Sequence, residues 1–254
     1  MGTSAYTETL ELAGRIIMEN GGETYRAEET IARMGKAFGL DHAECFAVPS
    51  GVFISYRLDG NSESAIVRVR RKGTNLERID QVNQVSRSVE SGDMDVEAAL
   101  AQLRAIEHSP ARLKPLYTVL LVGLSSGGFT FMFGGAWIDF FAAFVVASLV
   151  HALSMFFENR GLTGFMVTLI GGFFTALLPT AFCSMAGIES SAMIAGALMP
   201  LVPGVAMTNA IQDTLRGDLL SGVAHCVQAI LTATLMAVGA LIGVSLFQLL
   251  GGAV

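Results

Sequence analysis

The chain has 254 residues, of which 52% are hydrophobic and 15% charged, and its mean hydropathy of +0.55 excludes an ordinary soluble domain. The formal net charge of -6 comes without a dense basic run, which excludes nucleic acid as a partner. Cys45, Cys183 and Cys226 stand apart with no CxxC pair, so neither a disulfide framework nor a zinc site is expected, and no metal or other cofactor is implied.

Of the 16 Lys and Arg residues, 14 precede Pro115 and only Arg160 and Arg216 follow it. The first 30 residues carry Glu8, Glu11, Glu19 and Glu23 and no apolar core, so no signal peptide is read and the N-terminus is expected to stay in the cytoplasm. Leu10, Ala13 and Ile17 recur at helical spacing, and after Gly21-Gly22 so do Ala27, Ile31, Met34 and Phe38, which predicts two amphipathic helices. Glu23 lies at the positive end of the second helix dipole, a capping reading of Gly22-Glu23-Thr24-Tyr25-Arg26.

The runs CFAV, GVFISY and AIVRV, separated by Pro49-Ser50 and by Asp59-Gly60-Asn61, predict a three-stranded antiparallel meander. Val67 and Val69 alternate with Arg68 and Arg70, so one face of the last strand should be wet. Helices are predicted near 75–91 and 93–107, the second with Asp93 as N-cap. His42, Glu44 and Cys45 are close in sequence, but alternation along a strand points Cys45 away from the other two, which argues against a ligand cluster.

Five apolar segments follow, near 116–134, 136–157, 161–185, 190–211 and 219–250, each about the 20 residues a bilayer demands. The fold class read from these elements is an α+β cytosolic domain (helix, helix, three-stranded meander, helix, helix) at 1–110, a linker at 111–115, and an all-α five-span transmembrane bundle at 116–254. Arg160 and Arg216 fall in the second-to-third and fourth-to-fifth loops, and the other loops have no Lys or Arg. The positive-inside rule then puts those loops and the N-terminal domain in the cytoplasm and the C-terminus outside, with Trp137 at the outer interface. The GxxxG spacings Gly123/Gly127 and Gly239/Gly243 suit close helix packing, within a bundle or an oligomer.

The fourth span contains MPLVPGVAMTNAIQDTLRGD (199–218). Pro203 lacks the amide that a carbonyl near Met199 would accept, so Pro200, Pro203 and Gly204 are expected to break the helix near the bilayer midplane. The half-helix beyond Gly204 would present its N-terminus to an anion such as a carboxylate, with Thr208 and Asn209 along an inner vestibule. Asp213, near that helix's C-terminus, calls for a partner such as Arg216 or for a coupling proton or ion. Gly171-Gly172 and Pro179, which frees the carbonyl of Thr175, predict an interruption of the third span. Prolines in membrane helices also occur as plain kinks that neighbouring groups re-satisfy. His151 and His225 are intramembrane ionisable residues, candidates for proton relay.

The combination of GGETYRAEETIARM (21–34), VPSGVFISY (48–56) and LVPGVAMTNAIQDTLRGDLLSG (201–222) resembles the threonine/serine exporter family over nearly the whole chain. Long members of that family carry a second, all-membrane half, so the resemblance implies the larger subunit of a two-component, succinate exporter-like type, working with a small all-membrane partner in a homo- or hetero-oligomer. It also implies a place in the pathway region for Pro203, Gly204, Thr208, Asn209, Asp213 and Gly217, and a role beyond capping for the cytosolic Glu23 and Arg26. The function read is a secondary exporter of the inner membrane for a small carboxylate-bearing metabolite, threonine or serine or a dicarboxylate such as succinate. With no Lys or Arg inside a span, an amino acid is favoured unless a partner supplies charge. The alternative is a membrane-anchored ligand-binding sensor or scaffold; no nucleophile, base and oxyanion set supports an enzyme.

Overall fold

The computed structural model describes residues 2–70, 73–110, 113–186 and 191–251. It is mostly helical, with one small sheet, and it divides into two compact units. Met1–Pro110 joins with Val205–Cys226, and Ala111–Gly204 joins with Val227–Val254. The division read from the sequence grouped 205–226 with the remaining apolar segments.

The first unit opens with α1 (Gly2–Glu19) and α2 (Thr24–Ala37). Leu10, Ile17, Ile31 and Met34, the periodic apolar positions, are fully buried. Strands β1 (Asp41–Val48), β2 (Gly51–Leu58) and β3 (Asn61–Arg68) form an antiparallel sheet in the order β1-β2-β3. Leu58 pairs with Asn61 across the two-residue loop Asp59-Gly60, whose φ values of 50° and 81° suit a tight hairpin turn of right-handed twist. Val52, Ile54 and Tyr56 alternate inward to the core, and Val67 and Val69 are buried between exposed Arg68 and Arg70.

Helices α3 (Leu76–Glu90) and α4 (Val96–His108) complete this part. Asn75 caps α3 by accepting from the Arg78 amide. The α4 cap is Asp95, which accepts from the Ala98 amide at 2.9 Å, and not Asp93, which instead accepts from the Ser91 hydroxyl. Two candidate caps two residues apart compete, and the winner is the one in extended backbone directly before the first helical turn.

Helix α9 (Gly204–Arg216) and the first turns of α10 (Leu219–Leu249) belong to the same unit. Gly217 ends α9 with φ 93°, and the Asp218 amide donates back to the Asp213 carbonyl at 2.9 Å, a left-handed C-terminal cap that a side chain would strain. This gives Gly217 a structural reason to be glycine.

The second unit contains α5 (Pro115–Met132), α6 (Trp137–Asn159), α7 (Gly164–Ala186), α8 (Ser191–Leu198) and a 3-10 turn (Met199–Leu201), with the rest of α10. α5, α6, α7 and α10 are each long and apolar enough to cross a membrane, and α8 with α9 passes the same test only as a broken pair. Large apolar side chains such as Val145, Met185, Leu241 and Leu249 point outward, as expected where the surroundings are lipid. Inside the unit, a Cβ on Gly123 or Gly127 would overlap Phe144 or Phe140 of α6, and one on Gly172, Gly239 or Gly243 would overlap main-chain atoms across the α7–α10 crossing. Both GxxxG pairs therefore serve close packing within the chain. The Ser126 hydroxyl donates to the Gly196 carbonyl at 2.9 Å, tying α5 to α8.

The third span is not interrupted. α7 runs unbroken through Pro179, and Gly171 and Gly172 are sites of close approach by the Leu201 side chain and the Met236 backbone rather than points of unwinding. One carbonyl left without its amide is tolerated where the surrounding turns are held by packing. Glu189, between the third and fourth apolar segments, lies outside the described residues.

Candidate functional site

The second unit encloses a cavity of about 80 Å³ at the break in the α8 segment. Three residues singled out from the sequence meet there: His151 from α6, Thr175 from α7 and Pro200 from the 3-10 turn, walled by Val122, Val150 and Leu201. The break has the expected cause. α8 stops at Leu198, Val202 adopts the extended conformation (φ -63°, ψ 130°) that a following proline enforces, and the helix restarts at Gly204, whose amide donates to the Val202 carbonyl. The unwound link is Val202-Pro203, and Gly204 begins the next helix instead of lying in the link. Pro179 and Pro203 are outside the cavity lining.

The chemistry of this cavity is carried by the imidazole. The Thr175 hydroxyl is within reach of its own helix's Gly171 and Gly172 carbonyls at 2.9 and 3.0 Å. His151 Nε2 is buried and has no hydrogen-bond partner among the described residues. A water or the polar end of a solute would satisfy it.

A second polar cluster is built in the first unit. On α9, Asn209 and Asp213 lie one helical turn apart and are both buried, Asp213 completely. The Thr24 hydroxyl donates to Asp213 Oδ1 at 2.8 Å, and His225 Nδ1 of α10 meets Asp213 Oδ2 at 2.9 Å. Asn209 Nδ2 donates to the Gly21 carbonyl at 3.3 Å. Thr24 opens α2 after the Gly21-Gly22 turn and the N-cap residue Glu23, so the GGETYR motif grips α9 with Gly21 and Thr24. Asp213 therefore has Thr24 and His225 as partners and not Arg216, whose guanidinium lies 3.5 Å from the centre of the Tyr25 ring. Thr208 lies one residue before Asn209 on the same helix.

Glu23 occupies the N-cap position of α2 but makes no side-chain cap bond. Its carboxylate instead pairs with Arg26 at 2.5 Å, so the expected capping role is replaced by an ion pair on the first turn. Sequence reasoning named Glu23 and Arg26 and passed over Thr24, whose side chain is fully buried.

Glu28 accepts from the Ala47 amide at 2.8 Å. Burial, with help from the Asp218 and Asp213 carboxylates, raises its pKa despite that bond. A carboxyl raised in the fold makes folding weaken as pH climbs from its unfolded value through its folded one, because the folded state holds the proton longer. Glu28→Gln keeps the acceptor for Ala47. It is expected to raise the thermal midpoint of the detergent-solubilised chain at about pH 7.5, with the gain shrinking towards about pH 4, where the native carboxyl is protonated. An equal effect at both pH values would refute this. Burial next to Glu28 also pushes the Cys45 thiol up to about 12, so at neutral pH it is no nucleophile. Among the described residues no three His, Cys, Asp or Glu side chains group to hold a metal.

Residues 8–247 match the sequence model of a family described as "Putative threonine/serine exporter". The chain belongs to the threonine/serine exporter family. The family is one of transporters rather than enzymes, and its name together with the apolar helices makes this a multi-pass membrane protein. Among family relatives, the chain is similar to the threonine/serine exporter of Corynebacterium glutamicum, with 24% identity across 93% of this chain but 50% of that protein. It is 27% identical to the "Probable succinate transporter subunit YjjP" of Klebsiella aerogenes, covering 93% of this chain and 92% of the relative. The Escherichia coli protein of the same description is 26% identical, over 97% and 96% respectively. The chain thus spans half the length of the Corynebacterium relative and nearly all of the two subunits. No solved structure matches.

Proposed function

We propose that this chain is the larger subunit of a two-component secondary exporter that moves a small carboxylate-bearing metabolite out of the cytoplasm. The observation that carries the reading is the cavity at the helix break, where His151, with a free ring nitrogen, Thr175 and Pro200 converge. A broken helix beside a mostly apolar cavity that holds one unpartnered imidazole nitrogen, within an apolar bundle, is an arrangement suited to alternating access. The substrate-pathway set is Pro200, Pro203, Gly204, Thr208, Asn209, Asp213, Thr175 and Pro179, with Asp213 or His151 coupling a proton or ion.

Residues 1–110 are assigned to the cytoplasm, 111–115 to the linker and 116–254 to the inner membrane. Arg160 and Arg216 set the inner loops and leave the C-terminus outside. A small all-membrane subunit supplies the half that the Corynebacterium relative has in addition. The two YjjP relatives, described as subunits and matched end to end, support that division of labour. Their names and that of the Corynebacterium exporter point to succinate, threonine or serine as cargo.

Co-expression of the chain with its small membrane partner should raise efflux of preloaded succinate or of threonine and serine. His151→Gln and Thr175→Val should cut that efflux roughly tenfold, a loss of about 1.4 kcal/mol in the transport barrier. Efflux that is the same with the chain deleted would overturn the exporter reading.

A further inference from the structure

A cleft of about 350 Å³ in the first unit is lined by four arginines drawn from three helices. Arg26 and Arg33 come from α2, Arg87 from the last turn of α3, and Arg216 is the last residue of α9. Among the described residues Glu29 is the only acidic one in the lining, and it is bound to Arg33 at 2.6 Å. Outside the lining, Glu23 holds Arg26 at 2.5 Å, while Glu90 and Asp80 approach Arg33 and Arg87 only at 3.7 and 3.9 Å. Arg216 has no carboxylate partner among the described residues and stacks on Tyr25. Arg87 and Arg216 are therefore the two cleft guanidinium groups with no carboxylate at hydrogen-bond distance among the described residues.

Only two arginines and no lysine follow Pro115, so an anion bound for the membrane part finds few cations there. Arg216 is one of the two, and it is in this cleft. We propose that the cleft is a loading site for a small dicarboxylate, an inference that rests on the exporter reading above. Two carboxylates can be taken by two forks, each a charge-assisted pair of hydrogen bonds. A zwitterionic amino acid suits the cleft poorly. Its ammonium would face guanidinium groups, and the one lining carboxylate is already engaged by Arg33. The dicarboxylate is thereby favoured over threonine or serine as this chain's cargo.

The test uses the full chain in detergent micelles, with radiolabelled succinate as probe and threonine and inorganic phosphate as competitors. Succinate should bind, threonine should not compete, and Arg87→Gln and Arg216→Gln should each weaken binding about tenfold, the loss of one charge-assisted contact. Arg104→Gln, at an ion pair with Glu8 outside the cleft, should leave it unchanged. Binding indifferent to both cleft substitutions, or phosphate or threonine competing as well as succinate, would overturn the assignment. Succinate efflux from cells that depends on the chain yet is unchanged in Arg87→Gln would overturn the loading role and leave the exporter reading standing. Absence of any efflux that depends on the chain, with succinate binding intact, would remove the exporter reading and the loading role together.

Discussion

Asp213→Ala should destabilise the first unit by about 2–4 kcal/mol, because the Thr24 hydroxyl and the His225 ring nitrogen lose their acceptor inside a buried cluster. Asp213 is fully buried and accepts from both at 2.8 and 2.9 Å, so no water stands ready to replace it. Asp213→Asn keeps an oxygen for one partner but turns a donor towards the other, and should cost less, about 1–2 kcal/mol. Chemical denaturation of the solubilised chain, followed by protection of the first unit from protease, reads both values. Efflux should fall in Asp213→Asn beyond what its lower stability explains if the carboxylate also couples an ion. A Thr24→Val, Asp213→Ala double variant tests the geometry. Its cost should be smaller than the sum of the single costs, since both substitutions remove the same bond. Strict additivity would mean that the Thr24 contact contributes nothing.

The second large effect is expected at the α7–α10 crossing. A Cβ at Gly239 would overlap the Leu169 carbonyl and crowd the Phe173 amide, main-chain atoms that cannot rotate aside. Gly239→Ala must force the helices apart, and overpacking of this kind costs about 1–3 kcal/mol. Gly128→Ala is the matched control. It lies in α5 with open space around its missing Cβ, and should be near neutral. The thermal midpoints of the two variants, measured side by side in detergent, decide the matter. Equal midpoints would show that the crossing has slack.

Much of the architecture was legible because it rests on local rules. Apolar length anticipated the long helices α5, α6, α7 and α10, each apolar enough to cross a membrane, and the broken α8–α9 pair. Asp59-Gly60 announced a tight hairpin, and the prolines of MPLVPG announced a broken helix. The misreadings share a different cause. Pro179 obeys the same local chemistry as Pro203, yet α7 stays whole, and in the turn before it Gly243 of α10 packs closely on the Phe173 carbonyl and the Leu177 amide. Proline chemistry supplies the tendency, and tertiary contacts decide whether it is realised.

The candidate sites divide in the same way. His151 could be named as an ionisable residue in an apolar segment, Thr175 through the proline four residues on and Pro200 as a helix breaker, but their convergence on one cavity joins residues about 50 apart. Thr24 and His225 around Asp213 depend on partners separated by 189 and 12 positions. No periodicity carries a pairing across 189 residues. The available signal was the GGETYR motif itself, where a buried threonine two residues after a glycine pair was read as part of a cap.

The discontinuous make-up of the first unit sets an order on its biogenesis. Residues up to Pro110 leave the ribosome with α1 to α4 and the sheet complete, but the α9 segment that Thr24 and Gly21 bind emerges only after α5 to α8 have been synthesised. Until then the start of α2 carries a hydroxyl and a carbonyl whose native partners do not yet exist. Arrival of Asp213 is therefore a late closing step, and a nascent chain stalled before it would present that unsatisfied patch to chaperones or proteases as a mark of incompletion.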